Sequence, residues 1–404
     1  MKDIRLVAAL CVALTCATLS YTTFAALIPT FSALWQLNYT QAGIVNGAFI
    51  AGYVVAVPLL VSLTDRIDAR RILLVSLMLS AVSAAVFSLL ADGFWSASAI
   101  RFFGGVGLAG TYMPGMKALS DRLSGKAQGR AVSFYSASFY LGLALSVLTT
   151  GWIAEGLGWR AAFMANAIEA MAALAIVSVA LPRTVLPTRP ALKEHALDFR
   201  PILRNREAMS YVIGYAAHNW EVFGFHSWVV AFLTFHLAMG EGFALSATEV
   251  TTLLLFIAVP AAIFGNEIGN ALGRRRSLIG LMTLSAVVAL MLGFGASSSI
   301  YAVLALTGVY AATTAADSGG LTAGTVAAAE PHRMGATMAL HSTLGFFAGM
   351  LGPVAFGAAL DLTGGGVTVA SWGAGFAVLA LGVMVGPLVL MTLGRRRQRV
   401  GKPG

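Results

Sequence analysis

Charged residues are scarce in this sequence. Asp, Glu, Lys and Arg account for 11% of the 404 residues and hydrophobic residues for 58%, whereas an ordinary soluble domain is about 25% charged. So few charges leave too little polar surface to cover a soluble globule of this length. The composition therefore excludes a water-soluble protein and predicts a chain that lies mostly in lipid.

Cysteine is nearly absent, and the motifs of metal, nucleotide and covalent chemistry are missing. Cys11 and Cys16 are the two cysteines, and at a spacing of five they lie on different helix faces and give no information on disulfides. There is no Walker loop and no HExxH motif, and the glycines at 364–366 form no phosphate cradle. We expect no enzyme activity, no cofactor and no metal site, so energy has to come from an ion gradient or from a solute itself.

Long apolar runs dominate the sequence instead. A bilayer core needs about 20 apolar residues in a helix. Residues near 24–26 resemble a signal-peptide cleavage site, but the first run is longer than a signal core, so we expect it to be retained. Twelve runs, spans 1 to 12, predict an all-α membrane protein: 6–28, 41–64, 72–91, 97–116, 131–155, 161–181, 208–235, 245–271, 277–296, 300–326, 335–360 and 369–393.

The basic residues follow the spans. The net charge is +9, but the basic residues lie in short loops, which indicates a lipid surface and not a nucleic-acid partner. If the N-terminus is cytoplasmic, every Lys and Arg except Arg101 and Arg160 falls in a cytoplasmic segment. The positive-inside rule therefore predicts an inner (plasma) membrane protein with both termini in the cytoplasm.

The longest polar interval, 182–207, divides the spans into six and six. We predict an N-terminal six-helix bundle at 1–181, a cytoplasmic linker at 182–207, and a C-terminal six-helix bundle at 208–404 that ends in a basic cytoplasmic tail. Similar charged loops occur in the two halves, VSLTDRIDARR at 61–71 and NEIGNALGRRR at 266–276. A repeat of this kind in so hydrophobic a chain is typical of secondary transporters.

The first of these loops resembles the GxxxDRxGRR signature of the major facilitator superfamily, and the likeness covers the whole chain. Asp65 and Arg66 match the acid and the first arginine, whereas Val61 and Asp68 replace the two glycines. The second loop keeps the latter half of the signature and loses the acid. The resemblance implies a bacterial inner-membrane transporter whose halves are latched at their cytoplasmic ends by Asp65, Arg66, Arg70, Asn270, Arg274 and Arg275.

Two more stretches resemble this family. Arg101, Gly105 and Gly107 match its fourth-helix motif RxxxGxG, and GWRAAF at 158–163 matches its GWRxxF turn. The GPxxGG motif of its drug and proton antiporters survives in span 5 only as Gly151. The resemblance implies that spans 1, 4, 7 and 10 line the central path.

Span 7 has the densest set of polar groups at membrane depth. His218, Glu221 and His226 share an arc of about 140° if the span is helical. A buried carboxylic acid beside an imidazole is the chemistry that a proton-coupled carrier needs. A structural hydrogen-bond network between helices is the alternative interpretation.

Three other spans lining the implied path also carry candidates. In span 10, Tyr310 and Asp317 share a face with Thr313, although Asp317 also fits a wetted helix end. In span 4, Tyr112 lies on the Arg101 side of a continuous helix, and Arg101 fits proton transfer, anion attraction or snorkelling to the headgroups. The predicted substrate and proton pathway comprises Tyr21, Arg101, Tyr112, His218, Glu221, His226, Tyr310 and Asp317.

These observations predict a monomeric carrier that moves a small solute by alternating access, coupled to protons. Arg101 and the span histidines favour symport of a small anion. Proton-coupled efflux of a drug or cation is an alternative, because two buried acids suit a cation. A membrane sensor that binds a solute without moving it is a second alternative.

Overall fold

The computed structural model describes residues 2–64, 67–123, 125–183, 199–240, 244–295, 299–330 and 333–393. Throughout these ranges the regular secondary structure is helical, with no β-strand. The helices are α1 (Lys2–Thr18), α2 (Thr23–Ala26), α3 (Ile28–Trp35), α4 (Tyr39–Leu63), α5 (Ala69–Leu90), α6 (Phe94–Ala109), α7 (Tyr112–Ser120), α8 (Gly125–Leu157), α9 (Trp159–Ala180), α10 (Arg200–Arg204), α11 (Arg206–Met239), α12 (Ala247–Leu272), α13 (Arg274–Phe294), α14 (Ile300–Ala316), α15 (Ser318–Ala328), α16 (Met334–Leu362) and α17 (Val369–Leu393).

The helices follow the predicted spans. Ten of the described helical segments are long and apolar enough to cross a membrane. The other two predicted spans are divided into shorter helices. Span 1 consists of α1 and α2, and α3 begins at its last residue; span 4 consists of α6 and α7. The short α10 lies in the interval predicted as a linker. The predicted all-α membrane architecture with twelve spans is thus confirmed.

Spans 1, 4 and 10 are interrupted along their length. Thr18 and Thr111 return hydrogen bonds to carbonyl groups in the preceding turn, Thr18 Oγ1 to Leu14 O at 2.9 Å and Thr111 Oγ1 to Leu108 O at 2.6 Å. Such bonds compete with the helical ladder. Span 10 breaks at Asp317, between α14 and α15. Broken helices at membrane depth are tolerated where their backbone is buried in protein or lines a cavity.

Two compact units are present. Unit 1 comprises Met1–Pro190 and His226–Phe256, and unit 2 comprises Ala191–Phe225 and Ile257–Gly404. The unit boundaries fall inside α11 and α12. Part of the predicted linker, 184–198, and the predicted basic tail from 394 onward lie outside the described residues.

Small residues bring helix backbones together inside each unit. In unit 1, a Cβ atom at Gly105 of α6 would overlap the carbonyl oxygen of Phe49 in α4. In unit 2, Gly293 of α13 packs against Gly373 of α17. Close approach of this kind is how helices associate in lipid, where the hydrophobic effect gives no drive. This packing holds the two buried clusters described next.

Candidate functional site

Unit 2 contains a buried contact between an imidazole and a carboxylate. His218 on α11 places Nδ1 2.7 Å from Oδ1 of Asp317, and the two side chains are 5% and 1% exposed. Asp317 lies at the break between α14 and α15, so the interruption of the helix sets the position of the acid. The imidazole and the carboxylate form an ion pair when the histidine is protonated.

Glu221 lies one turn further along α11 and is fully buried. Its Oε1 accepts a hydrogen bond of 2.9 Å from the Ser285 hydroxyl of α13, and Thr313 Oγ1 of α14 lies 3.3 Å from Ser285 Oγ. Tyr310 is close enough to Glu221 for an electrostatic interaction. The Tyr310 hydroxyl is also in hydrogen-bonding range of the Glu221 carboxylate, whereas Asp317 Oδ2 has no hydrogen-bond partner in the described part of the chain.

These groups are called the unit 2 acid cluster: His218, Glu221, Tyr310 and Asp317. Two carboxylates and one imidazole without lysine or arginine are expensive to bury in charged form, because each ion loses its hydration. The cluster is therefore suited to holding protons and to releasing them when water or a solute enters. No group of three His, Cys, Asp or Glu side chains within the described ranges is arranged to hold a metal ion.

His341 on α16 adds a second imidazole to this region. Its Nδ1 lies 3.0 Å from Thr325 Oγ1, and its ring stacks on Tyr215 with the centroids 3.9 Å apart. Tyr215 also stacks against His218 at 5.7 Å. His341 was not among the predicted pathway residues, because a single histidine in an apolar span has no local signal of a partner.

Unit 1 contains Arg101, a buried cation. Its side chain is 4% exposed and lies over the Phe49 ring, 4.1 Å from the centroid. Nη1 donates to Ser20 O at 3.4 Å, and Nη2 donates to Tyr21 O at 3.4 Å and to Asn46 Oδ1 at 3.3 Å. These distances exceed the usual 2.7–3.2 Å for N–H donors, and no carboxylate among the described residues forms an ion pair with Arg101.

Asn46 on α4 connects Arg101 to Ser227 on α11, which also belongs to unit 1. The Asn46 amide donates from Nδ2 to Ser227 Oγ at 2.6 Å and accepts from Arg101 at Oδ1. Sequence reasoning missed Asn46, because one asparagine in an apolar run does not reveal its partners. The Asn46 side chain therefore contacts both the Arg101 guanidinium and Ser227 of α11.

The remaining pathway candidates are Tyr21, whose backbone carbonyl accepts a hydrogen bond from Arg101, together with Tyr112 and His226. The Tyr21 ring packs at right angles to Phe49, with centroids 5.6 Å apart. Tyr112 lies on α7, beyond the break in span 4, and its hydroxyl is 3.1 Å from Ser136 Oγ. The face shared with Arg101 on a continuous helix is therefore lost. His226 is partly buried and belongs to unit 1, whereas His218 and Glu221 belong to unit 2.

The predicted latch residues are only partly described. Asp65 and Arg66 lie outside the described residues. Arg70 donates from Nε to Leu181 O at 2.6 Å and from Nη2 to Ser178 O at 2.7 Å, so it caps the carboxyl end of α9. In unit 2, Asn270, Arg274 and Arg275 flank the turn between α12 and α13, where Gly273 has a φ of 89°.

Comparison with solved structures supports the fold. The chain superposes on a bacterial homologue of the human lysosomal transporter Spinster, in its inward-facing and unoccupied conformation, with a TM-score of 0.74. The match covers 97% of this chain and 95% of that one at 16% identity. At this identity the likeness shows the fold alone.

Two curated relatives are transport proteins by name. A probable sphingolipid transporter of Arabidopsis thaliana, spinster homolog 2, is 25% identical over 212 residues, which cover 48% of this chain and 44% of the relative. The chain thus spans less than half the length of that relative. The inner membrane transport protein YdhP of Escherichia coli K12 is 25% identical over 288 residues, or 69% of this chain and 70% of that protein.

The sequence profile of the Major Facilitator Superfamily matches residues 10–248. This region is more than half of the chain and runs from the first helix through the start of α12. With twelve helical spans and the structural match along nearly the full length, the chain belongs to the Major Facilitator Superfamily of membrane transporters.

Proposed function

We propose that this transporter moves a small solute by alternating access and couples the movement to protons, with a small anion carried in symport as the favoured cargo. The observation that carries the proposal is the burial of Glu221 beside the His218–Asp317 contact. A secondary transporter has to exchange its coupling ion between two aqueous phases, and ionisable residues within a membrane commonly mark such a route.

Proton coupling follows from the chemistry of the unit 2 acid cluster. Glu221 is bonded by the Ser285 hydroxyl and lies beside the Tyr310 hydroxyl, and Asp317 Oδ2 has no hydrogen-bond partner in the described part of the chain. Protonation removes the charge on a buried carboxylate and so removes most of its desolvation cost. In the proposed cycle, the cluster takes up a proton from one side of the membrane and releases it on the other. The proton gradient can then drive transport of the solute.

Arg101 supports an anionic cargo. The guanidinium is buried in unit 1 without a carboxylate partner in the described ranges, and its hydrogen bonds to neutral oxygens are long. An anion bound there replaces these bonds with a charge-assisted pair, which is about twice as strong. Proton-linked uptake of an anion uses both a cation to bind the cargo and an acid to carry the proton.

Efflux of a cation or drug in exchange for protons is the second candidate. The buried carboxylates of Glu221 and Asp317 favour it, because they would also attract a cation. Symport and antiport predict opposite directions of proton movement when the solute enters.

The membrane topology and the latch are part of the proposal. The basic loops support an orientation with both termini in the cytoplasm, and we propose that the transporter acts as a monomer. Asp65 and Arg66 act with Arg70, Asn270, Arg274 and Arg275 as the cytoplasmic latch. Replacement Asp65→Asn should change the ratio of inward-open to outward-open states, which cysteine accessibility from each side measures. Unchanged accessibility on both sides would remove Asp65 from the latch.

The test begins with a thermal-shift screen of purified protein against anions, cations, sugars and drugs. A stabilising solute is then assayed by counterflow in liposomes, where flux shows a carrier and binding without flux shows a sensor. Uptake driven by a pH gradient is next compared in wild type and in Glu221→Gln, with the exposed Glu155→Gln as the matched control. If Glu221→Gln still concentrates the solute, Glu221 is not the coupling residue.

A further inference from the structure

A small cavity lies inside unit 1 beside Arg101. It has a volume of about 20 Å³, and a cavity needs about 10–15 Å³ to admit one water-sized sphere. Arg101, the rings of Phe49 and Phe87, and the side chains of Ser20, Ser80 and Ser83 form much of its wall. The space therefore fits a single small species such as one water molecule or one monatomic ion.

The charge of this wall is positive, and no carboxylate of the described residues forms an ion pair with Arg101. Arg101 Nε is buried and has no hydrogen-bond partner in the described structure, and the guanidinium makes its other bonds to neutral oxygens at 3.3–3.4 Å. An unpaired buried cation costs several kcal/mol by order of magnitude. A neutral water molecule satisfies the donor without offsetting the charge, whereas an anion does both.

The remaining wall groups suit a monatomic anion. Hydroxyl groups of serine donate hydrogen bonds to anions. Ser83 donates its hydroxyl to Ile100 O at 2.8 Å and Ser20 donates to Ala17 O at 3.4 Å, which leaves Ser80 as the serine on this wall whose hydroxyl makes no other bond among the described residues. No carboxylate lines the cavity.

We infer that this cavity is a halide site, in which one chloride-sized anion neutralises Arg101. The inference rests on the proposed anion role of Arg101. A halide is the class of anion that fits beside the guanidinium in this conformation. A halide in this cavity is the occupant that a larger anionic cargo at Arg101 displaces. The site is formed by side chains of unit 1 alone.

Thermal unfolding of the purified full chain in detergent tests the site without any transport assay. Sodium chloride, bromide, acetate and sulfate are titrated at constant ionic strength, with gluconate as the balancing anion. We expect chloride and bromide to raise the midpoint in a saturable manner and acetate and sulfate to behave like gluconate. Arg160→Gln is the matched control, because Arg160 caps Ser88 O at 2.7 Å and does not line the cavity.

Two variants localise the effect. Arg101→Gln removes the charge, and Ala84→Val adds two methyl groups to the cavity wall while the charge stays. Both should weaken the apparent halide affinity by at least about tenfold. If the cavity holds water and not a halide, chloride and gluconate should have the same effect, and that result would overturn the inference. An equal response to acetate, or an unchanged halide response in Ala84→Val, would also overturn it. A halide response in a protein that shows no flux would leave the site standing and reject the transport proposal.

Discussion

His218 and Asp317 meet in the interior of unit 2, with Nδ1 of the imidazole 2.7 Å from Oδ1 of the carboxylate. The histidine belongs to a continuous helix, α11, whereas the acid occupies the break between α14 and α15. A rigid element and an interrupted one are thus joined through ionisable groups. In the proposed transport cycle, movement of the broken helix changes the separation of the two groups.

The first prediction concerns the strength of this contact. His218→Leu or Asp317→Asn alone leaves a buried polar group without its partner, and each should lower the free energy of unfolding by about 3–5 kcal/mol. The double variant should cost less than the sum, with a coupling energy of about 1–3 kcal/mol. Denaturant unfolding in detergent micelles gives all four values. Additive single effects would mean that the two groups do not interact.

A second prediction follows from the contact between Asn46 Oδ1 and Arg101 Nη2 at 3.3 Å. Asn46→Asp places a carboxylate beside the buried guanidinium and supplies the charge that a halide otherwise provides. The variant should unfold at a higher temperature than wild type in gluconate and should lose most of its response to chloride. Asn46→Ala, which also loses the bond to Ser227, is the control and should be less stable. A destabilised Asn46→Asp with a full chloride response would contradict the account.

Helix packing gives a third prediction. A methyl group at Gly105 overlaps the Phe49 carbonyl oxygen and forces α6 away from α4, so Gly105→Ala should cost about 1–3 kcal/mol of unfolding free energy. Gly156→Ala is the matched control, because nothing lies within 4 Å of a Cβ there. The control should be neutral or up to about 1 kcal/mol more stable. Equal effects of the two changes would show that the close approach is not important for stability.

Arg70 supplies a fourth prediction. Its guanidinium donates to Ser178 O and Leu181 O at the end of α9, and hydrogen bonds from charged groups contribute about 1.5–3 kcal/mol. Arg70→Gln should therefore lower the unfolding midpoint, whereas the neighbouring exposed Arg71→Gln should leave it nearly unchanged. If Arg70 acts only between the two halves, Arg70→Gln should change accessibility and leave the stability of the protein as it was.

Hydropathy and charge were sufficient to predict the spans. Long apolar runs with basic loops have few structural solutions in lipid, because the backbone has to satisfy its own hydrogen bonds. The position of His218 and Glu221 on one face of a helix follows from their spacing of three residues. Such predictions depend on local periodicity and on the cost of burying charge.

Contacts between distant spans were beyond the reach of the sequence. His218 and Asp317 were both predicted pathway residues, but nothing local in the sequence indicated that they are in contact. Ser285 and Asn46 were missed, because isolated polar residues do not reveal their partners. The break in span 4 was also missed, since Gly110 and Thr111 fit a continuous helix by composition. Tyr112 consequently lies near Ser136 and not below Arg101.

The central claim is that the unit 2 acid cluster carries the proton that drives transport. Its most direct test is the pH inside liposomes, followed with a trapped indicator while a solute found by thermal shift is added outside. Wild type should acidify the lumen as the solute enters, and Glu221→Gln should exchange the solute by counterflow without any change in lumen pH. Proton entry of equal size in Glu221→Gln would contradict the account.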